Sequence, residues 1–219
     1  MYSDQLWDSA APTYRAILGH PFLTGLADGT LPREAFRHFV VQDSHYLRDY
    51  ARALAVCAAR APDDETTQAF AGDAAGAIAA EREMHAGFMA DLGGSAEEAA
   101  EQPVGPTTRA YTSYVLATVY GGSFLDGLAA VLPCYWIYAR VGEDLLARSS
   151  PDPLYRRWIE AYANEAFQDT VRRVVKLADR AGAEATEAQR ARAGEHFVTT
   201  ARYEWMFWDA AWRRERWPI

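Results

Sequence analysis

Cysteine is almost absent from the sequence: two residues in 219, Cys57 and Cys134, far apart along the chain. A disulfide framework is thereby excluded, and the usage fits a reducing cytoplasm. The opening residues Met1-Tyr2-Ser3-Asp4 lack the basic-then-apolar pattern of a secretory leader. Long apolar runs are missing too. The most hydrophobic region, about 115–139, is interrupted by Gly121-Gly122, Asp126 and Pro133, and reads as a buried helix pair rather than a membrane span. Positive charge is in deficit, with a net charge of −8, so no attraction to nucleic acid or an anionic membrane is expected. The short basic clusters Arg172-Arg173-Lys176 and Arg213, Arg214, Arg216 read as solvated helix faces. Phosphate-binding loops, His-Glu-x-x-His and zinc-finger spacings are all absent.

What the chain does have is aromatic rings: 7 Trp, 12 Tyr and 9 Phe in a composition that is 50% apolar and 24% charged. Some of those rings are expected to line a site for a flat ligand as well as a core. Helical periodicity dominates, and no alternating strand of useful length is found. A first helix is expected from the Ser3 cap to about Leu18, then a turn-rich connector from His20 to Leu31. Pro32 opens a long helix to about Ala61, and Asp63 caps a third over about 64–92. The polar stretch 95–106 reads as a surface crossing. Helices are expected over about 107–131, from Pro133 to about Ser149, over 153–181 and over 186–213. The connections are short, so residues 1–219 read as one all-α domain, a helical bundle without repeats.

A helical core stripe should be apolar, and two stripes here are not. The long second helix carries Phe36, Phe39, Val40, Asp43, Tyr46, Leu47, Tyr50 and Leu54, with the Asp43 carboxylate in the middle. Asp43 must find a partner there, either a ligand bearing N–H donors or a Tyr or Arg on another helix; the stripe alone favours the latter. The last helix repeats the anomaly with Phe197, Ala201, Glu204, Phe207, Trp208 and Ala211. An apolar wall raises a carboxyl pKa toward the range useful for proton transfer. Two such acids on separate helices point to a shared polar site.

Cys134 follows Pro133, and proline is favoured at the first position of a helix. That placement predicts a first-turn thiolate stabilised by free N–H groups and the macrodipole. Tyr138 lies four residues on, along the same face. Cys57, in Ala-Val-Cys-Ala-Ala, reads as a small buried hydrophobe. No histidine is evidently paired with Cys134, so a papain-like triad is not supported. Glu81, Glu83 and His85 are close in sequence, but the paired Glu-x-x-His units of a helical di-iron site are not present. A structural role for His85 is therefore favoured, and no metal is expected.

Four segments together resemble the thiaminase II (TenA) family over nearly the whole chain. They are His20-Pro21-Phe22 with Leu26-Ala27-Asp28-Gly29-Thr30-Leu31; Phe39-Val40-Val41-Gln42-Asp43; Leu132-Pro133-Cys134-Tyr135-Trp136-Ile137-Tyr138; and Tyr203-Glu204-Trp205-Met206-Phe207-Trp208. The resemblance implies a heme-oxygenase-like helical fold without heme, and a cytoplasmic homotetramer. It implies Cys134 as nucleophile, Glu204 as acid/base, Asp43 as the pyrimidine-binding carboxylate, and Tyr46, Tyr111, Tyr138 and Tyr162 around the pocket. The implied reaction is hydrolysis of 4-amino-5-aminomethyl-2-methylpyrimidine, and more slowly thiamin, in thiamin salvage, with no cofactor. A non-catalytic pyrimidine-binding or regulatory protein and a metal-dependent oxidase on the same fold are the alternatives.

Overall fold

The computed structural model describes residues 1–80, 84–148 and 150–219, the side chain of Ala80 excepted. Eleven helices are defined among them, with no strand: α1 (Tyr2–Leu18), α2 (Pro21–Asp28), α3 (Arg33–Ala59), α4 (Asp64–Ala80), α5 (Ala86–Asp91), α6 (Ala96–Glu101), α7 (Pro106–Gly121), α8 (Phe124–Leu146), α9 (Pro153–Ala163), α10 (Glu165–Glu184) and α11 (Glu187–Arg213). The all-α fold expected from periodicity is what is observed. Helices α3, α8 and α11 carry most of the core, with α4 and α7 against α3, α9 and α10 against α8, and α1 against α11.

Four expected boundaries move, each for a local reason. Ser3 is not the first cap: α1 already begins at Tyr2, and buried Ser3 ties it to α10 by hydrogen bonds to Asp179 of 2.8 and 2.9 Å. The connector 20–31 contains a helix, because His20 Nδ1 caps Phe22 N–H at 3.1 Å, Pro21 sits at the first helical position and Gly29 (φ 82°) ends it in the left-handed region. The polar crossing also contains a helix, α6, started by a reciprocal Ser95–Glu98 capping box. The expected helix 153–181 is two, broken at Asn164, whose Oδ1 accepts the Phe167 N–H at 2.9 Å.

The fifth change concerns Cys134. No helix starts at Pro133. Helix α8 starts at Phe124, because Ser123 and Asp126 form a capping box and Arg192 donates to both Asp126 oxygens at 3.0 and 2.8 Å. Pro133 therefore lies in the interior of a 23-residue helix, where it removes one backbone donor. Nearby, the Tyr50 hydroxyl on α3 donates to Val131 O at 2.8 Å and locks the two helices together at this level. Expected features at Glu81, Glu83 and Ser149 lie outside the described residues.

Helices α8 and α9 approach most closely at Gly142, where a Cβ would stand 2.6 Å from the Tyr162 carbonyl carbon and 2.8 Å from Ala163 N. Gly142→Ala should therefore cost about 1–3 kcal/mol, read as a lower denaturation midpoint. Gly121→Ala, which meets nothing within 4 Å, should leave the midpoint unchanged or slightly raised.

Candidate active site

A cavity of about 480 Å³ opens between α3, α4, α8, α9 and α10. Asp43 and Tyr50 reach it from α3, Cys134, Tyr135 and Tyr138 from α8, Tyr162 from α9, and Asn164 and Phe167 from the break between α9 and α10. A larger groove of about 700 Å³ between α1 and α11 contains none of the expected residues. Of the seven residues singled out in the sequence, Asp43, Cys134, Tyr138 and Tyr162 line it. Tyr46, Tyr111 and Glu204 form a buried second layer. That layer is close enough to the sulfur for the Glu204 charge and the Tyr46 hydroxyl to act on it.

Aromatic packing sets these positions. Tyr46 lies against Tyr111 with ring centroids 4.8 Å apart, and Tyr111 stacks on Tyr203 at 5.2 Å and 10°. On the other side Tyr138 contacts Tyr162 at 4.8 Å and Trp208 at 5.1 Å. Such rings are stiff, large and flat, which suits the walls of a slot for a planar ligand.

The thiol does not have the electrostatic support expected of it. Cys134 lies ten residues after Phe124, beyond the reach of the helix dipole, whose effect fades within the first turn. Burial pushes the thiol well above its ordinary range, and the Glu204 and Asp43 charges push the same way. The Tyr46 and Tyr50 hydroxyls near the sulfur work against this rise without offsetting it. Cys134 is therefore protonated at rest near neutral pH, and the first-turn thiolate is overturned. Cys57 is also a thiol, with its pKa raised to about 12 by burial, but it lies in the core away from the cavity.

Glu204 is buried, and its Oε1 accepts the Tyr111 hydroxyl at 2.6 Å. Burial raises its pKa to about 8; the Tyr111 bond works against the rise and the Asp43 charge adds to it. Asp43 is buried as well, with Oδ2 2.8 Å from His85 Nε2. That nitrogen is thus engaged by a carboxylate, which fits the structural role favoured for His85 better than a metal role. Burial keeps Tyr46, Tyr111, Tyr138 and Tyr162 protonated, hence donors, at neutral pH.

Sequence reasoning missed three cavity residues and one pairing. Asp73 on α4 faces the cavity, held by Tyr135 OH at 2.8 Å and Arg173 at 2.6 Å. Asn164 and Phe167 were hidden inside what reads as one continuous helix; a polar residue before Glu165 was the available signal. The Asp43–His85 bond joins residues 42 apart, which periodicity does not address.

The buried acid makes stability pH-dependent. A carboxyl whose folded pKa is raised keeps its proton where the unfolded chain has lost it, so its burial costs stability as pH rises from 4.5 to about 8. The Glu204 contribution should fall by several kcal/mol across that window, opposed in part by His20, His38 and His45, whose lowered pKa values favour the folded state as pH rises, and Glu204→Gln should make the net slope more positive. Denaturant midpoints at pH 5, 6.5 and 8 check this, and parallel curves for the two proteins would refute it.

Comparison with known proteins agrees with this architecture. The model of the TENA/THI-4/PQQC family matches residues 7–214. A relative from Bacillus subtilis named aminopyrimidine aminohydrolase is 38% identical over 216 residues, spanning 99% of this chain and 92% of that protein. The solved structure of a TenA homologue from P. horikoshii OT3 is 32% identical with a TM-score of 0.89, covering 97% of this chain and 99% of that one. A domain from Shewanella denitrificans described as having a heme oxygenase-like fold, 15% identical, matches with a TM-score of 0.76 over 96% of this chain and 92% of its own, which supports the fold alone. The chain belongs to the TENA/THI-4/PQQC family.

Proposed function

We propose that the chain is an aminopyrimidine aminohydrolase of the thiaminase II type. It would convert 4-amino-5-aminomethyl-2-methylpyrimidine and water to the 5-hydroxymethyl pyrimidine and ammonia, with thiamin a slower substrate, in thiamin salvage. The observation that carries this reading is a cavity thiol, Cys134, with the Asp43 carboxyl on the same aromatic wall and the Glu204 carboxyl buried behind it, near enough for its charge to act on the sulfur. The name of the Bacillus subtilis relative supports the substrate.

A protonated resting thiol shapes the mechanism. Cys134 adds to an electron-poor ring carbon, and its proton passes to a ring nitrogen, so no thiolate is stored beforehand. The exocyclic carbon–nitrogen bond then breaks, with Glu204 giving its proton to the departing amine. Water adds to the exocyclic methylene carbon while the Glu204 carboxylate takes one of its protons. Finally the sulfur leaves, recovers its proton from the ring nitrogen, and aromaticity returns. Asp43 accepts from the 4-amino group and stabilises the cationic ring formed midway. Tyr138 and Tyr162 wall the ring, while Tyr111 holds Glu204 and Tyr46 packs behind them against Tyr111.

The family likeness also suggests a cytoplasmic homotetramer. Two free cysteines and the lack, among the described residues, of a helix long and apolar enough to cross a membrane are compatible with it. Light scattering of the purified protein should return four times the mass of one chain.

Cys134→Ser and Glu204→Gln should each lower ammonia release from the aminomethyl pyrimidine by roughly 100-fold or more, with helical circular dichroism unchanged. Full activity in either variant removes the mechanism. Tight pyrimidine binding by the wild type without ammonia release would instead indicate a binding or regulatory protein.

A further inference from the structure

The Asp43 carboxylate is divided between two surroundings. Its Oδ2 is held by His85 Nε2 at 2.8 Å, and both side chains are about 95% buried, at 5% and 4% exposure. Its Oδ1 has no hydrogen bond to a described protein group, yet it is not among the buried polar atoms sealed off without a partner. Asp43 lines the cavity, whereas His85 does not. One oxygen is thus anchored behind the wall and the other is left to the cavity.

The other ring nitrogen of His85, Nδ1, is buried and has no hydrogen-bond partner, so the Asp43 carboxylate is the polar group that the ring serves. Backbone geometry agrees with a specialised role, since Met84 and His85 lie in a widened π-helical turn, a feature that recurs where a side chain must be aimed.

We propose that His85 is a positioning residue. As an N–H donor to Oδ2 it fixes the rotamer of Asp43 so that Oδ1 faces the cavity, where a ligand bearing amino and ring N–H groups would meet it. This rests on the reading of Asp43 as the pyrimidine-binding carboxylate.

Calorimetric binding of the hydroxymethyl pyrimidine product, together with kcat and KM from ammonia release, tests this on the full chain. His85→Asn, whose amide is too short to reach, should weaken product binding roughly 10–100-fold and raise KM. His85→Gln places an uncharged N–H where Nε2 stands and should restore binding to within about threefold. Asp43→Asn combined with His85→Asn should bind no more weakly than Asp43→Asn alone, because His85 acts only through Asp43. Thermal unfolding without ligand keeps folding defects separate. Wild-type binding by His85→Asn, failure of His85→Gln to rescue, or a double variant whose losses add would each overturn the proposal. Wild-type binding by Asp43→Asn would overturn the reading of Asp43 itself, and the proposal with it.

Discussion

Burial of ionisable groups against aromatic walls is the constraint on which the site depends. Glu204 is removed from water between α7, α8 and α11, with the Tyr111 hydroxyl as its hydrogen-bond partner. That burial keeps it protonated to about pH 8, and its charge, once formed, works against ionisation of Cys134. Glu204 and Cys134 are therefore coupled: a negative charge on either disfavours one on the other. The mechanism proposed above accordingly moves these protons in step with the bonds and does not depend on a stored thiolate.

The surrounding fold exists to hold that coupling in place. Helix α8 crosses the middle of the protein uninterrupted, its start set by the Ser123–Asp126 box and Arg192. Helix α9 comes within backbone contact of it at Gly142, and the α9–α10 break at Asn164 turns Tyr162 and Phe167 toward the cavity. Gln168 pins that corner by donating to the carbonyls of Ala139 and Tyr162 at 3.0 and 3.1 Å. Rigid elements, rather than loops, thus carry every group assigned a chemical role.

Much of this was legible from residues alone. Carboxylates in apolar stripes are costly, and that cost singled out Asp43 and Glu204 before any coordinates. Tyr138 followed from its spacing to Cys134. The Pro133–Cys134 pair misled, because proline marks a helix start only when nothing upstream has already started one, and Ser123-x-x-Asp126 had. The missed breaks at Asn164 and the missed α2 share a cause: capping side chains compete with periodicity and are short-range and context-dependent. The pairing of Asp43 with His85, and of Asp73 with Tyr135 and Arg173, belongs to tertiary packing, to which one-dimensional patterns are blind.

The central claim is that burial and neighbouring carboxyls, rather than a helix dipole, govern Cys134. The rate of its alkylation by iodoacetamide, followed by mass spectrometry on the Cys134 peptide from pH 6 to 10, addresses that claim directly. A rate that keeps climbing through pH 9 without a plateau is the predicted result. A plateau reached below pH 7, the signature of a thiolate already formed at neutral pH, would contradict it.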